Sequence, residues 1–261
     1  VIPRSHRRDG QRRKSAGLGG RTIHFILQGK GGVGKSMIAS LLYQALLHAE
    51  KEVFAFDTDP VNATLEGYKE FSVTRIEVMK NGDIDPRQFD QLFEGLMTAP
   101  PASHVIVDNG ASSFVALGAY IQQNEVLPTL EEEGHTVYFH TVVTGGQAVV
   151  DTARGLYQLA DGFPTTPLVV WLNPFFGEIV LDGKQFEEFK VSQRFASQFH
   201  AVIRLPDTPR ATLGKDLEEL FAKRYSFDAG IASSTTNIAV KSRLRRYWAD
   251  VRGLIGQAQI F

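Results

Sequence analysis

The chain has no cysteine. That excludes disulfides, thiolate nucleophiles and thiolate-bound iron–sulfur clusters. It also lacks any apolar run long enough to span a membrane as a helix. Its first twenty residues contain no apolar stretch of the secretory kind. The histidines (His6, His24, His48, His104, His135, His140, His200) show no metal-ligand spacing. Those in or beside apolar runs, His24, His104 and His140, are expected as packed core residues, with no metal other than Mg²⁺. Net excess of either charge is nearly absent too, at −1 over 261 residues, but the distribution is uneven. Of 28 basic and 29 acidic groups, residues 1–20 hold six (Arg4, Arg7, Arg8, Arg12, Arg13, Lys14) and one (Asp9), leaving a body of 22 and 28. A body of −6 is no obvious nucleic-acid surface, so only the basic leader could contact nucleic acid. The leader is also nearly free of large apolar residues, which predicts a disordered extension over residues 1–20.

What is present is an octet that the rest of the chain is organised around: Gly29-Lys30-Gly31-Gly32-Val33-Gly34-Lys35-Ser36. It matches G-x-x-x-x-G-K-[ST], the phosphate-cradling loop. An apolar run, Thr22–Leu27, precedes it as a strand, and Met37–Leu42 opens a helix. Glycines let backbone N–H groups wrap phosphates without a Cβ clash, and the helix N-terminus favours negative charge. In this motif Lys35 reaches the β/γ-phosphates and Ser36 ligates Mg²⁺. The nucleotide-binding set is therefore Gly29, Gly31, Gly32, Val33, Gly34, Lys35, Ser36 and Met37.

Strand–helix alternation continues along the chain. Helix is expected from Lys35 to His48, and strand through Val53–Asp57, ending at Asp57-Thr58-Asp59-Pro60 because proline cannot continue a central strand. A strand is expected within Phe71–Val78 and a helix from Pro86 to Met97. Val105–Asp108 is the next strand, with Ser112 or Ser113 as N-cap of the helix that follows. Further strands fall at Thr136–Val143, Leu168–Asn173 and Ala201–Asp207, with helices at Ala148–Ala160, Leu213–Arg224 and Thr236–Ile255. The fold class is α/β: a doubly wound, mainly parallel sheet with helices on both faces, in one P-loop ATPase domain over residues 21–261. Aspartates at strand ends lie at the carboxyl edge where such sheets bind ligands.

Lys30 is an extra lysine that an ordinary phosphate loop does not require. With it, the octet resembles the deviant Walker A motif of the MinD/ParA-like ATPases. The missing cysteine excludes the iron–sulfur branches of that superfamily. Asp57-Thr58-Asp59-Pro60 resembles the family's switch I signature, although Val61-Asn62-Ala63-Thr64 stands where the family has a glutamine. The resemblance implies that Lys30 crosses an ATP-dependent homodimer to the partner's phosphates and that Asp59 orients the attacking water. Lys30, Lys35 and Asp59 are the catalytic set. Asp57 and Asp108 are expected behind Ser36 around the Mg²⁺ water shell. Gly110 offers a backbone N–H to the γ-phosphate, Asn173 reads the adenine edge, and Pro206 and Asp207 pack on the base side. No T-K-x-D guanine-reading element occurs, so ATP is expected over GTP. Phe175-Phe176 could line the base pocket or a partner surface or pack under a loop, and packing is the expectation.

The segments Asp57–Thr64, Asp108–Phe114, Thr141–Gln147 and Val170–Pro174 narrow the resemblance to the conjugal-transfer TraL proteins of broad-host-range plasmids. That implies a cytoplasmic ATPase accessory to plasmid transfer, with a partner in the transfer machinery that no residue identifies. The alternative is a partition or positioning ATPase recruited to DNA or to a membrane surface, the latter through the C-terminal helix. A small-molecule kinase gives Lys30 no role. The apolar stripe of that helix (Val240, Leu244, Tyr247, Trp248, Val251, Leu254, Ile255) with a basic back fits either an interfacial anchor or the cover of a sheet face. Core packing is the expectation.

Overall fold

The computed structural model describes residues 19–261. Residues 1–18, nearly all of the basic leader, lie outside the described residues, and with them the expectation of disorder. The fold begins slightly before Arg21: the Gly19 carbonyl accepts from Ala102 N at 2.7 Å.

Seven strands form one sheet: β1 (Thr22–Ile26), β2 (Val53–Asp57), β3 (Val73–Arg75), β4 (His104–Asp108), β5 (Thr136–Thr144), β6 (Leu168–Asn173) and β7 (Phe199–Arg204). Their order is β7-β6-β5-β1-β4-β2-β3 and every pairing is parallel. The helices are α1 (Lys35–His48), α2 (Phe89–Thr98), α3 (Phe114–Gln123), α4 (Val126–Glu132), α5 (Val149–Gly162), α6 (Lys190–Phe195), α7 (Lys215–Ala222), α8 (Phe227–Ala232) and α9 (Ile238–Gln257). The central strands read as continuous apolar runs because both sheet faces are covered. Alternate side chains divide between two cores. Ile23, Phe25, Val105, Val107 and Phe139 join α2–α6. Ile26, Ile106, Val142 and Trp171 join α1 and α7–α9.

Several boundaries differ from expectation for local reasons. The strand foreseen within Phe71–Val78 pairs only at Val73–Arg75, against Ala55–Asp57 of β2. The helix foreseen from Pro86 starts as a 3₁₀ turn whose Arg87 N–H is capped by Asp85 at 3.1 Å, and continues as α2. β7 ends at Arg204 because Pro206 has no N–H for the ladder. The last helix is capped by the Asn237 carboxamide, which accepts from Val240 N at 3.0 Å. α9 buries Leu244, Tyr247, Trp248, Val251 and Ile255, and Trp248 stacks on Phe227 at 4.9 Å between ring centres. That stripe closes the second core, as the sheet requires.

One surprise is how the core histidines are satisfied. Trp171 Nε1–H donates to His140 Nδ1 at 3.0 Å, His140 Nε2 meets His24 Nδ1 at 3.0 Å, and His24 Nε2 meets His104 Nδ1 at 3.1 Å. Indole is only a donor, so its bond fixes every tautomer: each imidazole carries its proton on Nε2 and passes it to the next ring's Nδ1. The chain works only with neutral rings. Burial holds His140 down to about 3 and His104 to about 4, and pushes His24 well below its ordinary range.

These depressed values make stability pH-dependent. The unfolded chain binds protons below about pH 6.5 while the folded chain does not, so stability is full above that value and is lost as pH falls toward 4–3. At pH 5 the fully buried His140, held at about 3, costs about 2 kcal/mol relative to neutral pH, and His24 shifts stability in the same direction. Urea unfolding at pH 7 and pH 5 should show the loss. His104→Asn, whose carboxamide oxygen can still accept from His24, should remove only the His104 share of the dependence and leave that of His24 and His140. A stability unchanged between the two pH values would contradict the neutral chain.

Candidate functional site

The phosphate loop joins β1 to α1 at the carboxyl edge of the sheet. Gly34 stands at φ +105°, a conformation closed to most side chains, and a Cβ there would lie 3.0 Å from Asn173 Nδ2. The loop encloses one side of a cavity of about 540 Å³ that is also lined by Lys35, Ser36, Asp59, Asn62 and Ser112. Lys35 is buried and its ammonium donates to the Lys30 carbonyl at 3.0 Å, curling back over the loop. Burial lowers its pKa, while Asp108 and Asp59 pull the other way.

Behind the loop lie the carboxylates. Asp108 is 1% exposed and neither of its oxygens has a hydrogen-bond partner. Burial, followed by the charge of Asp57, pushes its pKa up to about 7, with the Ser36 hydroxyl and Lys35 opposing. Asp57 is engaged differently from expectation. Its Oδ1 accepts from Asp59 N at 3.1 Å and its Oδ2 from Leu65 N and Glu66 N at 2.9 and 3.2 Å. It thus ties down the segment after β2. Asp59 Oδ1 accepts from Val61 N and Asn62 N at 2.9 and 3.0 Å. Its carboxylate lies against Gly110, where a Cβ would come within 2.8 Å of Asp59 Cγ. Gly110 is therefore the seat of Asp59.

Lys30 is not idle in the single chain. Its ammonium lies 2.8 Å from Asp151 Oδ2 at the start of α5 and holds that carboxyl below its usual range, both side chains being 44% exposed. An exposed pair of this kind is screened by solvent and is readily given up.

On the other side of the loop a cleft of about 210 Å³ is lined by Gly34, Met37, Asn173, Phe175, Phe176 and Pro206, with Tyr247 at its floor. Phe176 is 43% exposed on this wall, so the expectation that Phe175-Phe176 pack under a loop does not hold for it. Asn173 is buried and largely committed: Nδ2 donates to the Val33 carbonyl at 3.1 Å and Oδ1 accepts from Phe175 N at 3.2 Å. It braces the phosphate loop against this cleft. Asp207 instead lines a neighbouring cavity with Arg243 and Arg246, because the chain turns at Pro206.

Sequence reasoning missed two supports. Gln28, fully buried, donates to the carbonyls of Val142 and Thr152 at 2.8 and 3.1 Å and fastens the start of the loop to β5 and α5. Its signal was a lone polar residue between an apolar strand and a glycine loop. The second is a buried cluster of Thr58, Asn109 and Ser113. Ser113 stands at the N-cap position of α3 as expected, but its hydroxyl donates to Asn109 Oδ1 at 2.8 Å and caps no helix N–H.

Comparison with known proteins fits this geometry. A family model described as the CobQ/CobB/MinD/ParA nucleotide binding domain matches residues 24–219. Two Escherichia coli proteins named TraL are 46% and 44% identical over 224 residues, covering 85% of this chain and 92% of theirs. The chain belongs to the TraL family of MinD/ParA-type nucleotide-binding proteins. Among solved structures, the MinD cell division protein of Aquifex aeolicus aligns over 88% of this chain and 97% of its own, with 15% identity and a TM-score of 0.49.

Lys35→Ala removes the buried cation beneath the loop cavity. Titration calorimetry with ATP should show nucleotide binding lost. Unchanged affinity would contradict the assignment of the loop.

Proposed function

We propose that this protein is a Mg²⁺-dependent ATPase that binds ATP in the loop cavity, dimerises on it, and serves as a cytoplasmic accessory to plasmid conjugal transfer. The observation that carries the reading is one cavity holding glycine backbone, a buried ammonium and the Asp59 carboxylate together. Phosphoryl transfer needs mainly positioning and charge stabilisation, and these groups supply both. Gly29 and Gly31–Met37 cradle the phosphates, Lys35 neutralises them, and Asp59 orients the water.

The residues present suit Mg²⁺. The Ser36 hydroxyl stands beside the unpartnered Asp108 carboxylate, an oxygen donor set of the kind a hard divalent cation takes. Ser36 would hold the ion, with Asp108 and then Asp57 behind it. The ion, when bound, would offset the charge of the β- and γ-phosphate oxygens.

Dimerisation is supported by the rim of the site. Val61 and Val115 are 73% and 75% exposed, and Val150 and Phe176 are also exposed. All four belong to segments that flank the phosphate loop, an apolar rim suited to a second copy of the chain. Lys30, held only by an exposed pair with Asp151, is free to exchange that carboxylate for a partner's phosphate. The base cleft, with Asn173 and Pro206 on its wall, takes the adenine. Assistance to plasmid transfer rests on the relationship to TraL proteins. Recruitment to a membrane through α9 finds no support in its packing, since the apolar stripe is covered. Among the described residues no helix is long and apolar enough to cross a membrane.

Lys30→Ala should bind ATP with near-normal affinity yet stay monomeric with ATP in sedimentation velocity. A dimer of normal strength would reduce Lys30 to a solvated loop residue. Asp59→Ala should accumulate as the ATP-bound dimer while turnover falls by about 10²–10⁴-fold. Wild-type turnover in that variant would move the water-orienting role elsewhere.

A further inference from the structure

The loops that carry the catalytic carboxylates are joined by a buried polar cluster whose side chains hydrogen-bond to one another and to these two loops, and not to the phosphate loop. Thr58, Asn109 and Ser113 are each 1% exposed or less. The Thr58 hydroxyl donates to Asn109 Oδ1 at 3.0 Å, the Ser113 hydroxyl to the same oxygen at 2.8 Å, and Asn109 Nδ2 to the Gly110 carbonyl at 2.9 Å. Thr58 N also donates to the Asp108 carbonyl at 2.9 Å. Thr58 lies between Asp57 and Asp59, and Asn109 between Asp108 and Gly110. The cluster therefore bridges the two strand ends at the two places where the carboxylates are borne.

We propose that Asn109 is a positioning residue of the site: its carboxamide binds the Thr58 hydroxyl of the opposite loop and so fixes Asp59 in its seat over Gly110. The inference rests on the reading of Asp59 as the carboxylate that orients water. The chemistry of the cluster calls for a carboxamide. The Gly110 carbonyl determines which end is nitrogen, because an oxygen there would face another acceptor. The remaining oxygen has two lone pairs, and the two hydroxyls fill both. Aspartate at this position would set an oxygen against the Gly110 carbonyl and add a negative charge beside Asp57, Asp59 and Asp108. An apolar residue would remove the acceptor the two hydroxyls share and leave each its longer alternative, the Asp108 carbonyl at 3.2 Å for Thr58 and the Gly110 carbonyl at 3.2 Å for Ser113, so that nothing would hold the two loops through their side chains. The coupling has a direct consequence: Asp59 Oδ1 holds the N–H groups of Val61 and Asn62, so the bond at Thr58 supports the start of this turn beside the hydrogen bonds that Asp57 makes to it.

The test uses Thr58→Val, which keeps the shape and removes the donor, beside Thr58→Ser, which restores it. In Thr58→Val, ATP turnover should fall by about 10- to 100-fold, the scale of a reacting group displaced by a fraction of an ångström to an ångström. ATP affinity should stay within about threefold, because the phosphate loop is untouched. Thr58→Ser should recover most of the turnover. In the Asp59→Ala background Thr58→Val should cost nothing further, which a general loss of packing would not produce. Independently of activity, amide hydrogen exchange at Val61 and Asn62 in the nucleotide-free protein should quicken by about tenfold in Thr58→Val. Normal turnover with unchanged exchange, or losses that add to those of Asp59→Ala, would overturn the positioning role. A wild-type protein without ATP hydrolysis would overturn the proposed activity instead, and the exchange rates would still decide whether the cluster holds the Asp59 turn.

Discussion

A lysine ammonium buried at the carboxyl edge of a parallel sheet, with carboxylates behind it and glycine backbone in front, is the constraint on which the rest depends. A buried cation is tolerated when opposite charge is near, and Asp108 and Asp59 supply it to Lys35. The carboxylates in turn are poorly solvated and repel one another, which pushes the Asp108 pKa up to about 7 in the free protein. Both sides of this balance favour a ligand that brings negative phosphate toward Lys35 and a cation toward Ser36 and Asp108. The proposed binding of a metal–nucleotide pair rests on this balance.

The sheet explains how these groups come together. β1, β2 and β4 are adjacent and in register, with Ile26 beside Asp108 and Asp108 beside Asp57. Parallel pairing aligns the three strand ends, so the phosphate loop, the Asp57–Asp59 turn and the Asp108–Gly110 turn leave the sheet side by side. The faces below are sealed by apolar helices on one side and by α1 and α9 on the other. The histidine chain fills part of the second core without leaving a polar nitrogen in want of a partner along its length. Its dependence on the Trp171 donor shows a core arranged for neutral rings, set apart from the site.

The parallel sheet, the phosphate loop and the carboxylates at strand ends were legible in the sequence because each leaves a local mark. A continuous apolar run ending in aspartate and proline is a buried strand reaching a ligand edge, and Lys35 and Ser36 follow a spacing set by phosphate geometry. Short helices such as α4, α6 and α8 were not legible, since six or seven residues carry too little periodicity. Side-chain commitments were hidden as well. Asn173 reads as a base reader from its place after a strand, yet its carboxamide is taken up by Val33 and Phe175. Ser113 reads as a cap and does stand at the N-cap of α3, yet its hydroxyl is taken up by Asn109, which the sequence did not reveal. The pairing of Lys30 with Asp151 joins positions 121 residues apart, and only the packing of α5 beside the phosphate loop reveals it.

The central claim is that the loop cavity is an ATP site completed by a divalent cation. Titration calorimetry of the wild-type protein with ATP, once with Mg²⁺ and once with excess chelator, tests it most directly. The account predicts one ATP per chain with Mg²⁺ and binding weakened by at least about tenfold without it, given the share of phosphate charge the cation offsets. Absence of ATP binding under both conditions would contradict it.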